Sequence, residues 1–242
     1  MQYTVLSAGE YLSRNSYPGR GVLLGVTPDG KSAVCAYFIM GRSENSRNRI
    51  FKKRGDDLFT EPFDVRKVDD PSLILYRALG TCENDLVVTN GDQTDTVLSF
   101  LKSGKSFEEA LTGRTFEPDA PNFTPRISGI FSFDGEKSTY KLSILKSLDE
   151  NGSACARFYY NYPAKSGLAH LIHTYEGDGS PLPTFCGEPR RLATENDIDG
   201  FTKALWNALN EENRISLYVR YTALCGRTYT ERIINKHQTE AE

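Results

Sequence analysis

Residues 21–40 read GVLLGVTPDGKSAVCAYFIM, two apolar runs separated by Thr27-Pro28-Asp29-Gly30. Proline at the second place and glycine at the fourth favour a tight turn. The runs predict two strands, Gly21 to Thr27 and Ala33 to Met40, closed into a hairpin. The second carries eight apolar residues with no polar alternation, which predicts a strand covered on both faces.

Outward from the hairpin, Leu73 to Leu79 and Leu86 to Thr89 predict further strands. Asn90-Gly91-Asp92 predicts a turn, with Asp92 capping a helix through Val97, Leu98 and Leu101, followed by a short helix over Phe107 to Leu111. Strands are expected again from Ile127 to Tyr162, with alternation clearest at Ala154, Ala156, Phe158 and Tyr160. Ile198, Phe201, Leu205 and Leu209 recur at helical spacing behind Thr194 as cap, and a final strand alternates through Ile215, Leu217, Val219 and Tyr221. Strands cluster as hairpins instead of alternating with helices, so the class is α+β with largely antiparallel sheet. No repeat or interdomain linker interrupts the chain: one domain is expected over residues 1–234, with a polar, frayed tail from Asn235 to Glu242.

The chain has 242 residues, 38% hydrophobic and 25% charged, with a formal net charge of -3. These totals fit one sizeable core and exclude a general nucleic-acid coat, whose binding face is normally basic. No run reaches the length of a membrane span, and the N-terminal residues lack signal-peptide character, so a cytoplasmic protein is expected. Five scattered cysteines (Cys35, Cys82, Cys155, Cys186, Cys225) have no metal-ligand spacing. They are expected as structural free thiols, with Cys35, Cys155 and Cys225 in apolar strands. His170 and His173 would make half a metal site, but no third ligand accompanies them; a structural or surface role is expected and no metal.

Against that net charge, residues 41–54 concentrate six basic residues (Arg42, Arg47, Arg49, Lys52, Lys53, Arg54) against one acid, Glu44. Guanidinium groups interleaved with serine and asparagine suit a phosphate, which rewards several directed donors. Three other segments share this polar character beside predicted element ends: Tyr17-Pro18-Gly19-Arg20-Gly21, Asn90-Gly91-Asp92-Gln93, and the proline-rich Glu117 to Arg126. Singly each is more often a turn or a solvated surface. Together they point to one polar ligand. Glu117, between Phe116 and Pro118, is a carboxylate that burial could turn toward proton donation.

These blocks, with Gly41 to Arg49, Gln93-Thr94-Asp95 and Asn122-Phe123-Thr124-Pro125-Arg126-Ile127, resemble the archaeal-type IMP cyclohydrolase family, its bacterial branch most closely. They follow the family's order over the first half of the chain, and the similarity continues more loosely through Tyr175 to Gly179. This chain departs in a longer C-terminal part and in Phe123, which separates Asn122 from Thr124. The resemblance implies a four-layer αββα sandwich like that of N-terminal-nucleophile hydrolases, without their processed nucleophile. Met1-Gln2 agrees, offering no serine, threonine or cysteine at position 2.

The resemblance also implies closure of 5-formamidoimidazole-4-carboxamide ribotide to inosine monophosphate with loss of water. That chemistry requires no metal, cofactor or covalent intermediate. Arg42, Arg47 and Arg49, with Ser43, Asn45 and Asn48, would hold the phosphate and ribose. Arg20 and Arg126 would stabilise the formyl oxygen or orient the carboxamide. Asn90 and Asn122, beside Gly91 and Thr124, would read the carboxamide, and Glu117 would move protons with Tyr175 nearby. A purine ribotide is the expected partner, with no nucleic-acid polymer and no membrane, in a homo-oligomer. Two rivals stay open: an amide hydrolase on the same fold, and a non-catalytic purine-nucleotide sensor.

Overall fold

The computed structural model describes residues 4–68, 75–225 and 228–237. The predicted hairpin is present: β2 (Arg20–Val26) pairs antiparallel with β3 (Ser32–Met40) across the 27–30 turn. Here β1 is Leu6–Ser7 and α1 Ala8–Leu12. The chain continues through α2 (Glu44–Arg47), β4 (Ile50–Arg54), β5 (Asp57–Glu61), β6 (Tyr76–Cys82) and β7 (Asp85–Thr89). The pair α3 (Gln93–Lys102) and α4 (Phe107–Thr112) precedes β8 (Arg126–Ser132), β9 (Thr139–Ser147), β10 (Cys155–Pro163), β11 (Leu168–His173) and β12 (Arg190–Ala193). Helix α5 (Ile198–Ala208) then leads to β13 (Arg214–Ala223) and β14 (Tyr229–Asn235).

Among the described residues these strands form two seven-stranded sheets, ordered β1-β12-β11-β2-β3-β13-β14 and β10-β9-β8-β7-β6-β5-β4. Every named pairing is antiparallel except β1 with β12. The class is mixed α+β with few helices. Strand β3 shows why its sequence lacks alternation. Cys35, Tyr37 and Ile39 enter the core between the sheets, with Val88, Ile127 and Phe131 of the facing sheet. Val34, Phe38 and Met40 point the other way, among Leu12 of α1 and Phe201 and Leu205 of α5. On the far side of the second sheet, Val87, Ile130 and Leu145 pack against Val97, Leu98, Phe107 and Leu111 of α3 and α4.

Several expectations need correction. Leu73 and Ile74 lie outside the described residues, and β6 begins at Tyr76. Asp92 stands at the start of α3 without a side-chain cap bond, because its carboxylate pairs with Arg114 and Arg126. Asp197, not Thr194, caps α5; the Thr194 hydroxyl donates instead to Val26 O at 2.6 Å. Ala154, just before edge strand β10, and Phe158 within it are exposed, so of that expected set Tyr160 is the member that packs against the inter-sheet core, joined by Tyr162. A register shift beside Ile215 breaks the expected alternation of β13: Ile215 joins the inter-sheet core, whereas Leu217, Val219 and Tyr221 face the helices. Cys225 is exposed just past that strand, as is Cys186, so neither is a core thiol.

Nor is β13 the last strand. The boundary expected at residue 234 falls inside β14, whose charged, half-buried sequence concealed it. Asn235, expected to fray, joins the two sheets. Its Oδ1 accepts from Phe51 N of β4 at 2.8 Å and from Ser216 Oγ of β13 at 2.7 Å, and its Nδ2 donates to Phe51 O at 3.1 Å. Residues 238–242 lie outside the described residues. Asn235→Ala strands the Phe51 amide and carbonyl between the sheets and is expected to cost about 1–3 kcal/mol, read as a lowered urea midpoint at unchanged m-value.

Candidate active site

Arg20 opens β2 on the face that looks toward the second sheet, where an apolar side chain would otherwise continue the Val22-Leu24 stripe. It is 8% exposed, and its partner Glu117 6%. Arg20 Nη1 donates to Glu117 Oε1 at 2.8 Å and to Asn90 O at 3.0 Å, while Nη2 donates to Glu117 Oε2 at 2.9 Å. Burial disfavours the charged guanidinium, but the Glu117 charge and hydrogen bonds outweigh it and hold the Arg20 pKa well above its ordinary value. Glu117, expected to move protons, is held here as the partner of Arg20, each of its oxygens accepting from that guanidinium.

The pair floors a cavity of about 280 Å³. The loop from Glu117 to Pro125 folds back on itself, with Glu117 N donating to Thr124 O at 2.9 Å. Phe123 takes φ +42° and turns outward, edge-on to Phe116, while Asn122 and Thr124 on either side line the cavity. Asn122 Oδ1 accepts from Leu182 N at 3.1 Å. Thr124 bonds Asp119 twice, N to Oδ1 at 2.7 Å and Oγ1 to Oδ2, and the same hydroxyl meets the Tyr175 phenol. Burial pushes the Tyr175 hydroxyl up to about 12 against the opposing pull of Arg20. Burial also raises Asp119, assisted by Glu117, over the opposing effect of its Thr124 bonds and Arg20.

Gly19 is what lets Tyr175 lie here: at φ +73° a Cβ would stand 2.2 Å from Thr174 Oγ1 and 2.6 Å from the Tyr175 ring. Tyr17 stacks on Tyr175 at 5.9 Å, and the Arg42 guanidinium lies 5.2 Å over the Tyr17 ring while pairing with Asp178. Behind the site, His173 Nδ1 donates to Tyr175 O at 2.9 Å, so its Nε2 accepts from Tyr11 OH at 2.6 Å. Arg49 completes the wall. Its Nε is buried without a hydrogen-bond partner, and no carboxylate pairs with it among the described residues.

The structure thus brings Arg20, Arg42, Ser43, Arg49, Glu117, Asn122, Thr124 and Tyr175 to one cavity. It leaves out Arg47, Asn45, Asn48, Asn90, Gly91 and Arg126. Arg47 donates to Gly41 O and Asn213 Oδ1, both at 3.1 Å, and exposed Asn45 sits on α2. Asn48 is locked to the backbone of Asp64, with both bonds at 2.7 Å. Asn90, 0% exposed, spends its amide on Pro125 O, Ile127 N and Gln93. Arg126 binds Asp92 and Gln93 Oε1, both at 2.8 Å, in space that a Cβ on Gly91 would fill. The basic block is no single loop, since Lys52, Lys53 and Arg54 belong to β4 and pair with Glu61 and Glu231. Tyr17, Met40, Ser46, Asp119 and Leu182 line the cavity without having been assigned a part. The polar character of residues 117–126 contained a signal for Asp119, but only the loop's fold shows what it meets.

A family profile described as IMP cyclohydrolase-like protein matches residues 17–226. The chain belongs to that family. It is 27% identical over 164 residues to an IMP cyclohydrolase of Methanococcus aeolicus, covering 66% of this chain and 74% of the relative. It is 37% identical over 124 residues to one of Methanopyrus kandleri, covering 50% and 60%, and 31% identical over 121 residues to one of Methanocella arvoryzae, covering 48% and 58%. The chain thus spans about three-fifths of the length of the latter two relatives. For this member of the IMP cyclohydrolase-like family, the described residues hold no group of three or more His, Cys, Asp or Glu that could bind a metal. No helix among them is long and apolar enough to cross a membrane. His170 and His173 are buried, each bonded to a tyrosine. An amide hydrolase would need an activated nucleophile, and Cys35 is a poor one: it is buried and its thiol is pushed up to about 12.

Two outcomes follow from the buried groups. Glu117→Gln leaves a buried guanidinium without its counter-charge and is expected to destabilise by about 3–5 kcal/mol, measured by urea unfolding. Burial lowers His173 to about 3 and His170 to about 4, so the unfolded chain binds protons that the native state refuses. Stability is therefore present above the unfolded histidine pKa of about 6.5 and falls as pH drops toward 4 and then 3. A His173→Asn variant should show a flatter unfolding free energy across that interval.

Proposed function

We propose that this protein is an IMP cyclohydrolase, closing 5-formamidoimidazole-4-carboxamide ribotide to inosine monophosphate with loss of water. The observation that carries the reading is Arg49, a cavity-lining guanidinium with a buried, unpartnered Nε, in a chain of this family. A cation held in place without a carboxylate suits a phosphate, whose oxygens accept charge-assisted hydrogen bonds. Arg42 and Ser43 line the same cavity and extend the phosphate and ribose contacts.

Asn122, also in the cavity lining, presents an amide to the substrate's carboxamide. Ring closure requires the carboxamide nitrogen, a poor nucleophile, to be held against the formyl carbon. Arg20, fixed by Glu117 and Asn90, is preorganised positive charge for the formyl oxygen, where negative charge develops. Glu117 orients that guanidinium, and Tyr175 is the hydroxyl available for proton transfer. Arg126, Asn90 and Gly91 support the wall from behind. The fold reading that accompanies this function is a four-layer αββα sandwich of the N-terminal-nucleophile-hydrolase kind, with cytoplasm as the working compartment. Helices packed on the outer face of each sheet support it.

The test is direct. Purified protein with the formamido ribotide and EDTA should form purine absorbance. Arg49→Ala should raise KM by about 10-fold or more while kcat changes less than about threefold, the signature of uniform phosphate binding. Inosine monophosphate that binds without any turnover of the formyl substrate would instead mark a nucleotide sensor.

A further inference from the structure

Resting on the ring-closure reading, we infer that Asp119 is the proton reservoir of the site, acting on substrate through Thr124 and the Tyr175 phenol. The direction of each bond is set by the donor inventory. Thr124 has one hydroxyl proton, given to Asp119 Oδ2, so the contact between Thr124 and Tyr175 is donated by the phenol. The Tyr175 oxygen consequently offers a lone pair to the cavity it lines. Glu117 is held differently: Arg20 donates to its two oxygens at 2.8 and 2.9 Å, whereas the hydroxyl chain from Tyr175 through Thr124 ends on Asp119. The Thr124 amide holds Asp119 in place at 2.7 Å.

The reaction moves two protons onto the formyl oxygen, one from the carboxamide nitrogen and one from the formamido nitrogen. In the first step the carboxamide nitrogen bonds to the formyl carbon and the carbonyl π pair moves to oxygen. The nitrogen's proton passes to Tyr175, whose own proton moves to Thr124 and that of Thr124 to Asp119. Reversal of the shift returns a proton to the oxygen and gives the carbinolamine. The C–O bond then breaks as the formamido N–H proton follows the same route to the departing hydroxide, releasing water and leaving the C=N bond. Asp119 ends as it began, a carboxylate. It is a positioning residue by contact and a reservoir by chemistry, since within the relay Tyr175 is the group that exchanges protons with substrate.

The charged and titratable groups around Asp119 are Glu117 on its own loop, Arg20 on β2 and Tyr175 after β11, with Arg42 and Arg49 in the lining of the same cavity. Glu117 and burial favour the protonated acid, Arg20 and the Thr124 bonds the carboxylate. Because Asp119 must start ionised, kcat should fall on the acid side as it takes up a proton.

Asp119→Asn preserves the shape of the contact with Thr124. At saturating formamido ribotide it should lower kcat by about 10-fold or more, move KM less than about threefold, and abolish the acid limb of the kcat–pH profile. Thr124→Val should reproduce the loss and Thr124→Ser restore it, which decides the matter even if Asp119→Asn does not fold. A wild-type enzyme that turns over while Asp119→Asn keeps both its kcat and its acid limb, or while Thr124→Val matches Thr124→Ser, overturns the relay and leaves ring closure standing. A wild type that forms no purine overturns both.

Discussion

The buried pairing of Arg20 with Glu117 is the constraint on which the site is built. Two carboxylate oxygens meet two guanidinium nitrogens, and the Asn90 carbonyl adds a third acceptor. An isolated charge in that environment would be costly, and so would a half-satisfied one. Each partner therefore determines where the other's backbone can lie. The start of β2, the turn before α3 and the loop before β8 are brought to one point, and the cavity is the space left between them.

The two sheets supply the rigidity that this arrangement needs. Strands β2 and β3 are buried on both faces, so the position of Arg20 is fixed by apolar packing from two directions. The polar elements of the wall are anchored differently. Asn90, Gln93 and Arg126 form a connected group in which the Asn90 amide and the Arg126 guanidinium find protein partners, and Asn48 does the same against Asp64. Such groups make the cavity's edges stiff without touching what it holds.

What could be read from the sequence follows from how local each signal was. The first hairpin, α3, α4 and α5 announce themselves through turn chemistry and periodicity within a few residues. Strand β14 does not, because Tyr-Thr-Glu-Arg-Ile-Ile-Asn carries the mixed polarity of an edge. The site was legible as composition and not as geometry. Arg49 and Arg47 sit two residues apart in one basic run, yet one lines the cavity and the other binds Gly41 and Asn213. Residue type suggested Asn90 and Arg126 as ligand-facing, whereas the Asn90 amide and Arg126 Nη1 bond to protein neighbours and neither residue lines the cavity. Glu117 was noticed for the apolar residues beside it, but the guanidinium that defines it comes from far along the chain. No window of sequence contains that meeting.

That distance has a consequence for how the protein assembles. Arg20 and Glu117 are 97 positions apart, and Thr124 and Tyr175 are 51 apart. Contacts across such separations form only after the intervening loops have lost their freedom, so the cavity arises with the completed topology and not from any early fragment. A molecule that occupies it recognises the finished fold alone. Its binding then stabilises the native chain by an amount that grows with its concentration relative to Kd, and occupancy of the cavity becomes a gauge of how much of the protein in a sample is correctly folded.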